Sequence, residues 1–389
     1  MTRMSKDDIL GWLRENNPQR LEELWQRADE TRRAHVGDAV HLRGLVEISN
    51  FCARQCMYCG LRAGNSQIAR YRMLADEIVA SAHEAVKFGY GTVVLQGGED
   101  YGIKAGWMAG VIRRIKVETP LAVTLSLGER PGKELLAWHE AGADRYLLRF
   151  ETSDRNLFEE IHPALGNRRS DRIAILRQLK NIGYEVGSGV MVGIPGQTYE
   201  SLANDIVMFR ELDLDMIGIG PFIPHPATPL GSGFHIVPTD NGEQVPNHEL
   251  MVYKAIALTR LTRPDANIPA TTALATINKK NGRELGLQRG ANVFMPNLTP
   301  LKYRRLYEIY PAKACLAETG DTCNSCLGMR IRAIGRHIGS GPGGRRKAVD
   351  DALTWRARTS PRFETGRQVA QSESGAVSPQ SKITEMPYA

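Results

Sequence analysis

The chain contains no run of about eighteen consecutive apolar residues, the length that a transmembrane helix needs. Residues 1–30 carry charges throughout and lack the apolar core of a secretion signal. Cysteine is scarce, with 6 in 389 residues, and without a secretion signal disulfides are not expected. These absences predict a soluble, cytoplasmic protein that has no membrane partner.

Excess positive charge is missing from most of the chain. The net charge of +7 is concentrated in an arginine-rich stretch between residues 328 and 369, and the residues before it are close to neutral. A basic groove is therefore not expected in the body of the protein, and nucleic acid is not an expected partner. The stretch itself is either a solvated tail or a segment that contacts RNA, a membrane surface or an acidic partner.

The chain does have a regular alternation of short apolar runs and longer helical patterns. Strands are predicted at 42–48, 92–96, 122–127, 145–150, 186–193, 215–219, 268–273 and 291–295. Helices are predicted near 5–33, 74–89, 104–118, 132–141, 171–182, 199–212, 246–263 and 278–286, with a weaker one from Ser153. About eight strand–helix repeats predict an α/β fold, a closed (β/α)8 TIM-type barrel.

Four domains are predicted from this alternation. They are an N-terminal helical segment at 1–36, the barrel at 37–310, a C-terminal region at 311–345 and a basic, disordered tail at 346–389.

Three cysteines, Cys52, Cys56 and Cys59, form a C-x₃-C-x₂-C motif directly after the first predicted strand. They are therefore expected on the first loop at the carboxyl end of the barrel, where barrel active sites lie. Three thiolates can hold three irons of a [4Fe–4S] cluster and leave the fourth iron open to another ligand. A structural zinc site is the competing interpretation, but it takes four protein ligands, and no fourth cysteine or histidine is nearby in the sequence.

Two further stretches at predicted strand ends are typical of ligand sites. The loop after the second strand contains two glycines, which let the backbone approach a ligand closely; a tight strand-to-helix turn is the competing interpretation. Arg145, Arg149 and Glu151 share the face of the fourth strand that points into the barrel. Arginine and glutamate are costly to bury there, so they form an internal ion pair or bind an anionic ligand.

The three-cysteine motif, with an aromatic residue before its last cysteine, resembles the hallmark of the radical S-adenosylmethionine (SAM) superfamily. This resemblance implies that SAM chelates the open iron and is cleaved reductively to a 5′-deoxyadenosyl radical. It implies a reductant such as ferredoxin or flavodoxin as a partner. The loop after the second strand resembles the superfamily's GGE motif, which holds SAM and consists here of Gln96, Gly97, Gly98 and Glu99.

Within the superfamily, residues of about 40–340 resemble the HydE family of [FeFe]-hydrogenase maturases. The stretches that carry this resemblance are Cys59–Arg62, Arg70–Met73, Val94–Gln96, Leu148–Ser153, Gly218–Pro226 and Met295–Pro300. The resemblance implies that Glu151, Arg172 and Met216 contact SAM. It also implies an inner cavity for an anionic substrate, lined by Thr124, Arg145, Arg149, Thr271, Thr272, Tyr307 and Tyr310.

The remaining cysteines form a C-x₇-C-x₂-C pattern made of Cys315, Cys323 and Cys326. The spacing alone predicts a second iron–sulfur cluster or zinc, and it resembles the accessory [2Fe–2S] or [4Fe–4S] site of many HydE proteins. The family implies an iron-complex substrate supplied by HydG and a product passed to HydF. One departure is Gly97, which stands where many members of the family have serine.

Four alternatives remain open. The lysine mutase of pyrrolysine synthesis, methylornithine synthase, is the nearest rival, and biotin synthase is a more distant one. The HydE-like enzyme of the mononuclear [Fe]-hydrogenase pathway typically has a wider first cysteine spacing and fits less well. Outside the enzymes, a non-catalytic Fe–S or zinc protein would retain the cysteines without cleaving SAM. The inward arginines and the Gly-Gly-Glu loop argue against that alternative.

Overall fold

A computed structural model describes residues 4–233, 242–314 and 320–345. The strands form one parallel sheet in the order β6-β5-β4-β3-β2-β1-β7, with β8 paired to β1 outside this path. Their bounds are β1 Ala39–Ser49, β2 Thr92–Gly97, β3 Ala122–Ser126, β4 Arg145–Leu147, β5 Glu185–Val192, β6 Met216–Pro221, β7 Val293–Phe294 and β8 His337–Ile338. The predicted α/β architecture is therefore confirmed.

Helices connect successive strands, as the alternating pattern predicts. Their bounds are α1 Lys6–Arg14, α2 Pro18–Val36, α3 Ala75–Lys87, α4 Ala105–Glu118, α5 Gly132–Glu140, α6 Arg155–Ile161, α7 Arg172–Ile182, α8 Tyr199–Glu211, α9 Glu249–Thr262, α10 Thr272–Ile277, α11 Gly282–Gln288, α12 Leu301–Arg304 and α13 Gly320–Ala333. The described residues belong to one compact unit that ends at Arg346. The domain boundaries at 36, 310 and 345 stay predictions.

The sheet is closed by a segment that is shorter than the predicted strand at 268–273. Asn267 bridges Met216 of β6, and Pro269 bridges Val293 of β7, each in parallel orientation. A longer strand does not form because proline has no amide hydrogen to donate and because Thr271 already caps α10 through its side chain. Parallel pairing thus continues from β6 through 267–270 to β7 and on to β1.

The predicted N-terminal helix is two helices, α1 and α2, that pack on α8 and α9. Proline at the first position of α2 and the side chain of Asn17, which caps that helix, start a new helix at this point. Ile9, Leu13 and Leu24 keep the predicted apolar face and are fully buried.

Side chains of β4 and the residues after it alternate as the sequence predicts. Tyr146, Leu148 and Phe150 join the main hydrophobic core. Arg149 and Glu151, on the opposite face, form an ion pair instead. The barrel interior is therefore polar beside β4, where barrels normally carry branched apolar residues.

The amino end of the barrel is covered by residues 337–345. The Thr92 hydroxyl donates to Pro342 O at 2.9 Å, and Arg43 Nη2 donates to Gly343 O at 3.0 Å. Arg345 Nη1 then lies 2.9 Å from Asp215 Oδ1. With this end covered, the loops at the carboxyl ends of the strands are left for a site. No helix among the described residues is long and apolar enough to cross a membrane.

Candidate active site

The loop that carries the three cysteines begins where β1 ends and is fixed by backbone hydrogen bonds. Gly98 N donates to Ser49 O at 3.1 Å, and Ala53 N donates to Glu99 O at 3.0 Å. Met57 N donates to Ile161 O at 2.8 Å, which ties the loop to the end of α6. The loop after β2 therefore lies directly against the cysteine loop, as their placement at strand ends predicts.

Glycine at position 98 is required by how closely these two loops approach each other. A Cβ atom on Gly98 would lie 2.2 Å from Phe51 O and 2.8 Å from Cys52 Cβ. A Cβ on Gly97 would lie 3.4 Å from its nearest neighbours, which is ordinary van der Waals contact. The site therefore has room for a small side chain at position 97, but not at position 98.

The three thiols lie together in a poorly hydrated environment. Cys56 is buried, and Cys52 and Cys59 are partly buried. Burial raises the pKa of all three, that of Cys59 to about 12, whereas the charge of Arg172 lowers the pKa of Cys56. Thiols in such a setting become thiolates when iron binds them, because the metal supplies the compensating positive charge.

Among the described residues, no three histidine, cysteine or carboxylate side chains converge on a single metal ion. A cubane takes one thiolate on each of three irons, so its ligands need not meet at one point.

A buried network of two arginines and two glutamates connects the cysteine loop to the neighbouring loops. Arg54 Nε donates to Glu99 Oε1 at 2.7 Å, and Arg54 Nη2 donates to Glu129 Oε2 at 2.6 Å. Arg172 Nε donates to Glu129 Oε1 at 3.0 Å. All four side chains are at most 9% exposed, so the charges compensate one another. Glu99 of the Gly-Gly-Glu loop thus holds the cysteine loop in place.

Arg172, which the family resemblance assigns to SAM, binds protein groups through each of its nitrogens. Its Nη1 donates to Arg149 O at 2.6 Å, and its Nη2 contacts His162 Nε2. Burial, followed by repulsion from Arg172 and Arg54, lowers the pKa of His162 to about 2, so the imidazole is neutral. Arg172 therefore supports the backbone after the fourth strand, two residues before Glu151.

Glu151 is one of three non-glycine residues in the described chain with positive φ, at 64°. Thr152 N donates to Phe150 O at 2.8 Å, so Glu151 is the centre of a tight γ-turn of the strained type. Its buried Oε2 has no hydrogen-bond partner among the described residues, although Arg149 Nη2 lies 3.1 Å away as an ion pair. Strain and an unsatisfied buried oxygen are both typical of a ligand-binding residue.

A small apolar cluster lies between the cysteine loop and the ends of β5 and β6. Its buried members are Leu157, Ile161, Met191, Ile194, Phe222 and Leu230, and Met57 and Tyr58 pack against it. Met191 lies at the end of β5 and Ile194 just after it, in a stretch that resembles the superfamily's adenine-contacting segment. An apolar wall beside the cysteine loop is suitable for stacking a nucleobase.

Polar groups continue into the barrel below the cysteine loop. Gln96 Nε2 donates to the Tyr307 hydroxyl at 3.2 Å, and Tyr307 is 2% exposed. Glu47 forms an ion pair with Lys313, and both side chains are at most 3% exposed. Sequence reasoning missed this pair because its members are 266 residues apart. The glutamate at an inward position of the first strand was the only available signal.

Two of the predicted cavity residues, Thr271 and Thr272, lie together at the start of α10. Arg283 Nη2 donates to Thr272 Oγ1 at 3.3 Å. Burial raises the pKa of Tyr310, whereas Thr276 and the charges of Arg283 and Arg149 lower it. Tyr310 stays a predicted cavity residue.

Arg145 and Met216 are placed differently from the other predicted residues. Arg145 Nε donates to Glu185 Oε2 at 2.6 Å and its Nη1 to Thr92 Oγ1 at 3.0 Å, at the first residues of their strands. Met216 begins β6, and its Sδ lies 2.7 Å from Arg43 Nη1. Since Arg43 also binds the segment that covers the amino end, this location argues against the predicted contact of Met216 with SAM.

Thr124 is buried on β3 next to Arg145, and its hydroxyl has no hydrogen-bond partner among the described residues. It stays a predicted substrate contact.

The second cysteine group lies mostly outside the described residues. Cys315 and the side chain of Cys323 are not among them, and neither are residues 346–389. Cys326 is exposed on α13. The accessory cluster therefore stays a prediction.

Comparisons with known proteins agree with this geometry. Residues 46–208 match the Radical SAM superfamily. The chain is 46% identical over 329 residues to the [FeFe] hydrogenase maturase subunit HydE of Thermotoga maritima, covering 85% of this chain and 90% of that protein. It is 28% identical to 3-methylornithine synthase of Methanosarcina acetivorans, over 75% of this chain and 78% of that one.

Solved structures show the same fold. The crystal structure of methylornithine synthase (PylB) has a TM-score of 0.74 at 25% identity and covers 87% of this chain and 95% of its own. A structure of HydG, a maturase of the [FeFe]-hydrogenase, has a TM-score of 0.63 at 18% identity, over 76% and 65%.

The fold, the three-cysteine loop and these matches define the class of protein, which is a radical SAM enzyme. Such an enzyme contains a [4Fe–4S] cluster, uses SAM and needs a reductant. Within the class, the chain belongs to the HydE family of [FeFe]-hydrogenase maturases.

The residues present fit the cluster and SAM. Three thiols lie on one loop, and position 98 has no room for a side chain beside Cys52. The buried Glu151 Oε2 makes an ion pair with Arg149 but no hydrogen bond among the described residues, so it can accept one from a ligand.

Proposed function

We propose that this protein acts as an [FeFe]-hydrogenase maturase of the HydE type, in the assembly of the two-iron subcluster. The identity of 46% over 85% of the chain to the Thermotoga maritima subunit carries this proposal. The polar barrel interior supports it, because an iron complex with anionic ligands needs hydrogen-bond donors and positive charge around it.

In this proposal the cysteine loop holds the cluster through Cys52, Cys56 and Cys59. When bound, the cluster and SAM supply the 5′-deoxyadenosyl radical. The chain holds SAM through the backbone of Gly97 and Gly98 and through the Glu151 carboxylate. The apolar cluster around Met191 and Ile194 excludes water from the adenosine, which protects a reactive species.

The substrate, a small iron-containing anion, would lie deeper in the barrel. Arg149, Thr271, Thr272 and Tyr310 would surround it on the side of β4 and α10, and Gln96 and Tyr307 on the side of β2. Arg145 and Thr124, nearer the amino end, would extend this polar lining. Each arginine already has a carboxylate partner, Arg145 in Glu185 and Arg149 in Glu151. Arg149 is the better candidate for binding an anion because its side chain is 33% exposed, against 3% for Arg145.

The proposed partners are a reductant, ferredoxin or flavodoxin, together with HydG as the source of the substrate and HydF as the acceptor of the product. Cys315, Cys323 and Cys326 are proposed to bind a second [2Fe–2S] or [4Fe–4S] cluster. This second site is assigned no role in SAM cleavage.

The test is anaerobic reconstitution of the wild-type chain and two cysteine variants. Wild type with dithionite and SAM is expected to release 5′-deoxyadenosine, and Cys56→Ala is expected to release none. Cys326→Ala is the matched control, because it also removes a cysteine, but one that is exposed on α13, and it should retain the release. Release by Cys56→Ala would contradict the proposal.

Maturase activity is tested separately, by adding the chain to a hydrogenase maturation mixture that contains HydF and HydG but lacks HydE. Hydrogenase activity above the mixture alone is expected. The fold similarity to methylornithine synthase makes L-lysine the appropriate comparison substrate. Conversion of lysine without any hydrogenase maturation would identify the chain as a mutase instead.

A further inference from the structure

Asp205 lies on α8, outside the set of residues that the proposed function uses, yet it is fully buried. Its Oδ1 accepts hydrogen bonds from Ser153 N at 2.5 Å and from the Ser153 hydroxyl at 2.6 Å. The Thr152 hydroxyl lies 3.4 Å from the same oxygen. Asp205 therefore binds the two residues that directly follow Glu151.

These bonds fix the exit of the chain from the strained turn at Glu151. The turn is entered through Phe150 N, which donates to Ser188 Oγ at 3.1 Å, and through Glu151 N, which donates to Gly189 O at 3.0 Å. A glutamate with φ of 64° is unfavourable by itself and persists only if both flanks are held. The strand β5 holds the entry, and Asp205 holds the exit.

Asp205 also reaches the loop after β5 through Gln197, which is fully buried as well. Gln197 Nε2 lies 3.5 Å from Asp205 Oδ2 and donates to Met191 O at 3.0 Å. Gln197 Oε1 accepts from Gly193 N at 2.7 Å. Asp205 and Gln197 therefore connect the segment after β4, which contains Glu151, with the end of β5, where Met191 belongs to the apolar cluster.

No lysine or arginine is hydrogen-bonded to Asp205 among the described residues; its partners are hydroxyls, an amide and a backbone N–H. A buried carboxylate without a cation is a costly way to join two loops. A carboxylate in this place is suited to setting the geometry of a ligand site, because it accepts several short hydrogen bonds that fix direction.

We propose that Asp205 is a positioning residue, which together with Gln197 holds Glu151 in its strained turn and so aims the Glu151 carboxylate at SAM. The proposal rests on the proposed role of Glu151 in SAM binding and extends it. Asp205 does not touch SAM. It acts through the backbone of Thr152 and Ser153.

SAM affinity gives the first test, measured by calorimetry on the anaerobic holoenzyme with its cluster oxidised, so that no turnover occurs. Asp205→Ala is expected to weaken SAM binding about tenfold, which corresponds to about 1.4 kcal/mol. In a Glu151→Ala background the same change is expected to cost less than about twofold, because the side chain that it positions is gone. Equal losses in both backgrounds would overturn the proposal, and so would wild-type affinity in Asp205→Ala.

Two further variants control for damage to the fold. Asp154→Ala removes the N-cap of α6 in the same loop and should leave SAM affinity within about twofold of wild type. Asp205→Asn keeps an oxygen for Ser153 N and replaces the oxygen facing Gln197 with a donor. Asp205→Asn is expected to weaken SAM binding less than Asp205→Ala does, and again only when Glu151 is present. It replaces the alanine variant in the test if that variant does not accumulate.

Thermal unfolding of the cluster-free chain gives a readout that does not involve SAM. Glu151→Gly relieves the positive φ and should raise the melting temperature of the wild-type background. In the Asp205→Ala background the same substitution should raise the melting temperature less, because Asp205 no longer holds the turn. An equal rise in both would overturn the positioning role.

Failure of the wider proposal appears differently. Unchanged SAM affinity in Glu151→Ala would refute the assigned role of Glu151, and with it the route by which Asp205 acts. Absence of 5′-deoxyadenosine release by the wild-type chain would instead refute the proposed activity, while leaving the unfolding comparison as evidence for the turn.

Discussion

Replacing Glu129 tests whether the buried charge network supports the site. Glu129 accepts from Arg54 and Arg172, and its amide donates to Glu99 Oε2 at 3.0 Å. Alanine at this position leaves Arg172 without a carboxylate partner and Arg54 with only Glu99. Removing one partner of a buried ion pair costs about 3–5 kcal/mol, because the remaining charge stays buried. We expect the free energy of unfolding of Glu129→Ala to fall by about that amount.

Glu159 provides the matched control for this loss. Its carboxylate pairs with Arg155 at 2.7 Å, but the two side chains are 40% and 49% exposed. An exposed pair of this kind contributes about 0.2–1 kcal/mol, so Glu159→Ala should change the free energy of unfolding by no more than that. Glu129→Gln keeps the shape of the side chain and removes its charge. Its loss of unfolding free energy should lie between those of Glu129→Ala and Glu159→Ala.

The measurement is urea unfolding of the cluster-free chain under anaerobic conditions, followed by far-UV circular dichroism and by tryptophan fluorescence, to which the buried Trp138 contributes. Iron content after reconstitution is measured in parallel, and it should drop in Glu129→Ala because Arg54 belongs to the cysteine loop. A loss in Glu129→Ala no larger than in Glu159→Ala, at equal slope of the unfolding free energy against urea, would refute the argument from burial.

Three other predictions follow from the same structure. Burial raises the pKa of Asp205 to about 7, against hydrogen bonds from Ser153 that lower it. The folded chain then holds this proton more tightly than the unfolded chain. Its free energy of unfolding should therefore fall by at most roughly 4 kcal/mol between about pH 4 and pH 7. Asp205→Asn should flatten this dependence in urea titrations, and an unchanged slope would contradict it. Gly98→Ala should lower the visible absorbance of the reconstituted chain as much as Cys56→Ala does, because its Cβ would lie 2.2 Å from Phe51 O and displace the cysteine loop. Gly97→Ala should retain the absorbance, and loss in both or in neither would refute the contact. Arg345→Ala should speed amide hydrogen exchange at Gly339, whose N–H donates to Val40 O at 2.9 Å. An unchanged rate would show that Arg345 does not hold the segment over the barrel.

The features that were predictable from the sequence are those whose signal is local. The cysteine spacing, the Gly-Gly-Glu loop and the alternation around Tyr146 and Phe150 each lie within a dozen residues, and the structure places them as expected. The strand at 268–273 was predicted from apolar composition. It is shorter because Pro269 and the cap at Thr271 compete with pairing.

The parts of the site that the sequence did not reveal depend on partners distant along the chain. Lys313 and Glu47 are 266 residues apart, and Asp205 and Ser153 are 52 apart. Glu129 lies in a loop without a motif, and only the meeting of three loops shows its role. Met216 shows the opposite problem: a resemblance assigned it to SAM, whereas its position as the first residue of β6 puts it beside Arg43.

The central claim, a cluster held by three cysteines with one iron open to SAM, is tested most directly by electron paramagnetic resonance. Anaerobically reconstituted wild-type chain, reduced with dithionite, should give the signal of a [4Fe–4S]⁺ cluster, and SAM should shift that signal by coordinating the open iron. Cys56→Ala should lack the SAM-dependent shift, because any signal left comes from the proposed second cluster, and Cys326→Ala should keep the shift. A reduced-cluster signal in wild type that SAM leaves unchanged, or one that survives in Cys56→Ala with the same shift, would contradict the account.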